Sequence, residues 1–221
     1  MNYIVANRKS NIDLEQTTNW LKEFDRLSKS TGFKNTILLA PPFPYLQMVQ
    51  EYAQLNPNIE SCGQDVSIFE SGAHTGEVNA TELADFCKYC IIGHSERNEP
   101  QEIVTKKRDA CVEAGITPIV CFVHPEQLQT YYIEHALFAW EDPQNISHDG
   151  KYQSKDPNQI LQEVDKLKTD FSDAQILYGG SVNIDTAKKL AEIQQISGVL
   201  VGHASLDPKH FLDIIREFEK I

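Results

Sequence analysis

The sequence predicts an α/β fold in one domain, spanning residues 1–221, in which eight parallel strands close into a (β/α)8 barrel. Short β-type runs alternate with segments of helical periodicity almost from end to end, and this alternation occurs eight times. No long linker or low-complexity stretch interrupts the alternation. Such a pattern indicates a parallel sheet covered by helices. Eight strands are the number that closes a barrel, whereas an open doubly wound sheet usually stops at about six.

The predicted strands are short runs of apolar and β-branched residues bounded by turn residues. In chain order they cover residues 3–6, 36–40, 59–62, 89–92, 117–122, 134–140, 175–178 and 199–201. The predicted helices carry apolar residues at a spacing of three or four. They cover residues 14–29, 45–55, 82–86, 103–114, 125–131, 157–168, 185–193 and 208–220. Pro157 suits the first turn of the helix that it begins, and Gly115 is a typical residue to end the helix of residues 103–114.

The length of the chain predicts one local departure from a full barrel. The chain has 221 residues, whereas a barrel of this kind typically takes about 250. The missing length falls between the fifth and sixth strands, where residues 125–131 leave room for at most two helical turns. We therefore expect a barrel that is trimmed at this connection.

The charge balance excludes some classes of function. Lys and Arg number 20 against 32 Asp and Glu, which gives a net charge of −12 at pH 7. Without a basic stripe to hold a row of phosphates, neither nucleic acid nor an anionic membrane is an expected partner. Residues 1–5 show no charged segment followed by a long apolar run, and we expect a cytoplasmic protein. A small anionic substrate would have to be bound by nearby positive or N–H groups, against the repulsion of the net negative charge of the protein.

The five cysteines are expected to be free thiols, because their number is odd and the expected compartment is reducing. Cys87 and Cys90 have the spacing of a redox or metal motif, with His94 nearby. Cys90 also opens an apolar strand, where a buried thiol is the simpler interpretation. We therefore predict no metal site.

Polar residues collect at the carboxyl ends of five predicted strands. In barrels of this type the active site lies at that end. The segments are Asn7-Arg8-Lys9, Gly93-His94-Ser95-Glu96-Arg97, Glu141-Asp142, Gly179-Gly180-Ser181 and Gly202-His203-Ala204-Ser205. Each segment alone has an ordinary structural explanation, such as a turn or a solvated side chain. Their occurrence together on one rim predicts a functional site there.

Several of these segments resemble motifs of the triosephosphate isomerase family. The matching stretches are residues 7–9, 71–78, 89–97, 113–118, 139–141, 178–182 and 200–206. The resemblance runs from Asn7 to the C-terminus, apart from the shortened connection and the segment after Glu141. It implies a TIM barrel and an isomerase that interconverts glyceraldehyde 3-phosphate and dihydroxyacetone phosphate, a step of glycolysis and gluconeogenesis.

The resemblance also implies the roles of the catalytic residues. Isomerisation removes a proton beside a carbonyl and returns it to the neighbouring carbon, and one carboxylate shielded from water can do both. By resemblance that carboxylate is Glu141, and His94 donates to the enediolate as a neutral imidazole, for which this family is itself the reference case. Lys9 supplies positive charge, and Asn7 contacts the carbonyl region. Glu96 either takes part in proton movement or forms a structural ion pair with Arg97 or Lys9.

Phosphate binding and assembly are implied in the same way. Backbone N–H groups of tight loops can hold a phosphate, and the resemblance assigns this role to Lys9, Ser181, Gly202, His203 and, in the lid, Ser147. No cofactor or metal is expected, because a proton moves and no electrons leave. The loop of residues 71–77 implies a homodimer, in which Thr75 supports the partner's active site.

The sequence departs from the family at three places. Residues 147–149 read Ser-His-Asp where the family lid has Gly-Thr-Gly, and His203 stands where the family has a second Gly. The third departure is the short connection, where His124 lies near the position of an expected Glu. We expect a looser lid and a weaker phosphate grip. The alternatives are a catalytically weak barrel that binds phosphosugars and an isomerase of another small phosphosugar.

Overall fold

The computed structural model describes residues 2–141 and 155–221, in which eight strands alternate with eight helices in the predicted order. The strands are β1 (Tyr3–Asn7), β2 (Thr36–Ala40), β3 (Ile59–Gly63), β4 (Tyr89–Ile92), β5 (Thr117–Phe122), β6 (Leu137–Trp140), β7 (Gln175–Tyr178) and β8 (Gly198–Val201). The helices are α1 (Leu14–Ser28), α2 (Leu46–Gln54), α3 (Ala80–Ala84), α4 (Gln101–Glu113), α5 (Gln127–Tyr131), α6 (Pro157–Asp170), α7 (Ile184–Ala191) and α8 (Pro208–Phe218).

The eight strands form a closed barrel in chain order. Every neighbouring pair is parallel, and closure is made by β1, in which Tyr3 is paired with Thr36 of β2 and with Gly198 of β8. The predicted (β/α)8 TIM barrel is therefore confirmed. Because all strands run the same way, their carboxyl ends meet on one rim, and the polar segments that follow them are brought together there.

The core has two layers that follow from the alternation of side chains along each strand. In β1, Val5 points into the barrel with Leu38 of β2 and Ile91 of β4, and all three are fully buried. The flanking Ile4 belongs to the layer between strands and helices. A strand buried on both faces needs apolar residues at every position, which explains the continuous apolar runs in the sequence.

Some element boundaries differ from the sequence prediction for local reasons. The sixth strand was expected from residue 134 but begins at Leu137, because His135 has a φ of 66° and an extended strand cannot pass through that conformation. Helix α3 begins at Ala80, two residues before its predicted start. Asn79 caps it, because its side chain accepts a hydrogen bond from the backbone N–H of Glu82. The Glu82 carboxylate in turn accepts a hydrogen bond from the Asn79 backbone N–H.

The connection between β5 and β6 is trimmed, as the length of the chain predicted. Helix α5 has only five residues, Gln127–Tyr131. Tyr132 follows it and packs beside Phe138 and Phe171, with ring centroids 5.7 and 5.1 Å away. In the part of the chain that the structure describes, no helix has both the length and the apolar character needed to cross a membrane.

Candidate active site

Glu141 directly follows β6 and has a buried carboxylate, with only 2% of the residue exposed. The carboxylate accepts hydrogen bonds from the backbone N–H of Ser95, at 3.1 Å to Oε1, and from the Ser95 hydroxyl at Oε2. Its Oε2 also lies 3.6 Å from Nε2 of His94. A carboxylate in this setting is desolvated and oriented, which are the two properties that a general base requires.

His94 is positioned by a sharp turn after β4. Gly93 before it has a φ of 67°, and a Cβ at that position would come within 2.7 Å of a Val104 methyl group. Glycine therefore allows the chain to turn here and lets His94 precede the 3-10 turn Ser95–Arg97. The imidazole Nδ1 accepts the backbone N–H of Glu96 at 3.3 Å.

These contacts fix the protonation state of His94. Burial lowers the pKa of the imidazole, with the nearby Lys9 lowering it further and Glu141 and Glu96 opposing the shift. Because Nδ1 accepts a hydrogen bond, the single proton of the neutral ring lies on Nε2. The Nε2–H group can therefore donate to an oxygen that gains charge during a reaction.

Lys9 is held in an uncommon backbone conformation, with a φ of 51°. Gln64 stabilises it by donating to the Lys9 carbonyl at 3.0 Å and to the Ala40 carbonyl at 2.8 Å. The Lys9 N–H donates to Oδ1 of Asn7 at 3.1 Å, which leaves the Asn7 amide Nδ2 as the group that can donate to a substrate oxygen. Strained backbone of this kind often marks a functional position.

Glu96 forms an ion pair with the Lys9 ammonium group. Arg97 and Lys9 were the two possible ion-pair partners of Glu96 in the sequence analysis, and in the structure the partner is Lys9. Arg97 instead contacts Asp65 at 2.7 Å and Glu99 at 2.9 Å. The Glu96 side chain is about half exposed at 53%, and its part in proton movement stays a prediction.

One cavity brings most of the predicted residues together. It is lined by Asn7, Lys9, His94, Glu141, Gly179, Ser181, Val182, Leu200, Gly202 and His203. Ser181 has a φ of 41°, and Gly202 and His203 lie at the start of the 3-10 turn His203–Ser205. Thr75 lies outside this cavity, exposed in the loop between β3 and α3. Ser147 lies outside the described residues.

Three residues of the site were not singled out from the sequence. Ser95 and Gln64 hold Glu141 and Lys9 as described above, and Cys121 contacts Glu141 from β5. Burial raises the pKa of the Cys121 thiol, and the neighbouring carboxylate raises it further, so the thiol stays protonated. Ser95 lies between the predicted site residues His94 and Glu96, and this position was the available sequence signal for it. Gln64 gave no such signal.

The alternative of a metal site at Cys87 and Cys90 finds no support. Both thiols are buried and unpaired. Burial raises the pKa of Cys87 to about 12 and that of Cys90 well above its usual value, which disfavours the thiolate that a metal needs. Among the described residues, no group of three or more His, Cys, Asp or Glu side chains has the arrangement of a metal site.

Comparison with known proteins agrees with the geometry of this rim. The triosephosphate isomerase family model matches residues 2–218. A triosephosphate isomerase from Alkalilimnicola ehrlichii is 34% identical over 81% of this chain and 84% of its own length. Those from Buchnera aphidicola and Dictyoglomus turgidum are 32% and 31% identical, over 97% and 96% of this chain and 96% and 98% of their own lengths. With its closed barrel and a rim that carries a buried glutamate, a neutral histidine and a lysine, the chain belongs to the triosephosphate isomerase family.

Proposed function

We propose that this chain interconverts glyceraldehyde 3-phosphate and dihydroxyacetone phosphate through an enediolate, with Glu141 as the base. The observation that carries the proposal is the arrangement of three groups on one cavity. The buried Glu141 carboxylate lies 3.6 Å from the proton-bearing nitrogen of His94, and Lys9 lines the same cavity. Family membership gives the reaction, and this arrangement supplies a base, a neutral donor and a positive charge for it.

The proposed reaction moves two protons and changes no oxidation state of the substrate as a whole. Glu141 takes the proton from C2 of the aldehyde, the electron pair of that C–H bond forms the C1–C2 double bond, and the π electrons of the C1 carbonyl move onto its oxygen to give the enediolate. Protons shift between the two oxygens through Nε2–H of His94. Glu141 then returns its proton to C1, which gives the ketone. Lys9 and the Asn7 amide stabilise the negative oxygen as it develops.

Phosphate binding is assigned to the opposite side of the cavity. Ser181, Gly202 and His203 are the residues that we expect to supply backbone N–H groups there, because they lie in tight turns on this cavity. Lys9, two residues after the end of β1, contributes its positive charge. This set can hold a dianion in an acidic protein because the donors act at short range. The role of Ser147 stays a prediction from the sequence.

The altered lid gives the proposal a second test. The family resemblance implies a lid, outside the described residues, whose contacts with the substrate exclude water from the enediolate, and an enediolate left exposed can expel phosphate to form methylglyoxal. Replacing Ser147-His148-Asp149 by Gly-Thr-Gly should lower the ratio of methylglyoxal to isomerised product, because Gly allows backbone N–H groups to approach the phosphate. A ratio that is already low and stays unchanged would contradict the looser lid.

A homodimer formed through residues 71–77 is part of the proposal. This loop is exposed and long, and the ring of Phe69 stacks on that of His74 at 4.1 Å at its base. We expect Thr75 to support the partner's active site. Sedimentation should show a dimer or larger assembly, and Thr75→Arg should give monomers with reduced activity. A fully active monomeric wild type would contradict the dimer.

We also propose a cytoplasmic location, for which the five free and buried cysteines are the support. Cell fractionation tests it.

The function itself is tested by an assay on glyceraldehyde 3-phosphate, coupled to an enzyme that reduces dihydroxyacetone phosphate. We expect turnover far above spontaneous enolisation. A rate near the spontaneous one, with phosphate compounds still bound, would favour the weak binding barrel instead. Slow turnover here but fast turnover of another aldose phosphate would favour an isomerase of a different phosphosugar.

A further inference from the structure

Arg8 is a fully buried charged side chain beside the catalytic residues of β1. Its exposed fraction is zero. Among the described residues, none of its three guanidinium nitrogens has a hydrogen-bond partner. Burial lowers the pKa of Arg8 to about 9, so the group remains charged at pH 7. Buried charges are costly and are normally paired, so one without a hydrogen-bond partner calls for an explanation.

The contacts of Arg8 lead to the turn assigned to phosphate binding. The guanidinium carbon of Arg8 lies over the indole of Trp20, 3.6 Å from the ring centroid. The indole N–H of Trp20 donates to the carbonyl of Ser205 at 3.0 Å. Ser205 in turn donates to the Gly202 carbonyl through its N–H at 2.9 Å and its hydroxyl at 2.7 Å. The buried charge is therefore two contacts away from the turn that lines the cavity.

The charges inside the site leave a deficit that Arg8 offsets. Lys9 is paired with Glu96, and Glu141 is buried on the same cavity. Taken as ionised, these three groups sum to −1, and a phosphate dianion would enter against this charge. The ionised Arg8 brings the sum of the four groups to zero. Charge interactions across a buried region are stronger than across water, so a cation that does not touch the phosphate can still stabilise it.

We propose that Arg8 is a buried determinant of phosphate affinity, whose unpaired charge attracts the dianion at the Gly202–His203 turn through the protein interior. The family motif that residues 7–9 resemble has Trp at this position, so the charge is a departure from that motif. Arg8 is a charge-compensating residue and takes no part in the proton transfer. The inference rests on the proposed function for its substrate, but binding of inorganic phosphate tests it without any turnover.

The experiment compares charge-removing and charge-retaining variants by calorimetric titration with inorganic phosphate at low salt. Arg8→Met should weaken phosphate binding about fivefold or more, because one buried charge is lost. Arg8→Lys should weaken binding less than Arg8→Met, because a lysine keeps the positive charge while it is protonated but does not stack on Trp20 as a guanidinium does. Lys88→Met is the matched control, since it removes one positive charge from an exposed ion pair with Glu60 at the opposite end of the barrel. This control should bind phosphate like the wild type.

Kinetics and stability separate this role from a structural one. In Arg8→Met the KM for glyceraldehyde 3-phosphate should rise by the same factor while kcat changes less than twofold, and kcat/KM for phosphate-free glyceraldehyde should not change. The midpoint of urea unfolding should rise, because an unpaired buried charge is removed. Equal losses on both substrates with a lower midpoint would show a structural role and overturn the proposal.

Two further outcomes are decisive. Unchanged phosphate affinity in Arg8→Met would also overturn the proposal. If that variant does not fold, Arg8→Trp removes the same charge with the residue of the resembled motif and must show the same loss of phosphate affinity. Failure of the isomerase proposal would appear separately, as absent turnover in the wild type, and would leave the phosphate titration valid.

Discussion

The two sides of the candidate site are built in different ways. On the proton-transfer side, each side chain is held by a specific partner: Glu141 by Ser95, His94 by the Glu96 N–H, and Lys9 by Glu96. On the proposed phosphate side, the expected donors other than Lys9 are backbone groups of turns, and the His203 side chain is exposed. Our proposal assigns to the phosphate side both His203 and residues 147–149, which depart from the family and of which 147–149 lie outside the described residues. The difference indicates that the chemistry needs fixed side chains, whereas phosphate binding tolerates changes in the turns.

Glu141→Gln should have the largest effect and should break the proton-transfer side alone. The amide keeps the volume of the carboxylate but cannot accept the proton, and general-base catalysis is worth about 10²–10⁴-fold. We expect kcat to fall by a factor near the upper end of that range, and we expect the variant to bind inorganic phosphate as the wild type does.

Glu134→Gln is the matched control for Glu141→Gln, because Glu134 precedes the same strand at the opposite end of the barrel and is exposed. It should have wild-type kinetics in the coupled assay. If Glu141→Gln kept a tenth of the activity, Glu141 would not be the base.

His94→Gln should have the second largest effect. The variant keeps a donor near the enediolate oxygens but loses the fixed Nε2–H geometry, and loss of one such donor costs about 10²–10³-fold in kcat. The KM should change little, because the phosphate side is intact. His124→Gln, at an exposed position after β5, is the control. Equal losses in the two variants would show that His94 has no special role.

His203→Gly should sharpen the comparison from the phosphate side. Removing the imidazole gives the turn the residue that the family has there and lets backbone N–H groups approach the phosphate. We expect KM and the inhibition constant of inorganic phosphate to fall about threefold, which is less than the worth of one hydrogen bond to a charged group. The kcat should stay constant. Ala204→Gly controls for the added flexibility of the turn, and a rise in KM for His203→Gly would contradict the weaker grip.

The smallest expected effect is on stability below neutral pH. Burial lowers the pKa of folded His94 below its ordinary value of 6.5, so the unfolded chain binds a proton more readily than the folded protein as the pH falls below 6.5. The free energy of unfolding should therefore decrease from pH 6.5 down to the lowered pKa, with no further loss from this group below it. His94→Gln should flatten this segment of the urea-unfolding profile, and His124→Gln should not. An unchanged slope in His94→Gln would contradict the shift.

Sequence patterns predicted the barrel because apolar runs and turn residues are local signals. All eight strands were located, and the errors were confined to element ends, such as the start of β6 at Leu137, where the conformation of His135 decides. The motif segments also predicted which residues gather on the rim, because parallel strands place their carboxyl ends together. The roles assigned to Glu141, His94 and Lys9 came from resemblance and stay predictions.

Only the tertiary structure decided how these residues are held. Ser95 contacts Glu141 across 46 residues of chain, and Lys9 meets Glu96 across 87. The proton of His94 is placed on Nε2 by a backbone N–H. The sequence by itself determined that Arg8 is a positively charged residue next to Lys9. Its burial against Trp20 and its lack of a hydrogen-bond partner among the described residues depend on tertiary packing. Local sequence sets the residue type and the element, but charge, burial and hydrogen bonding depend on neighbours that the fold brings from distant positions.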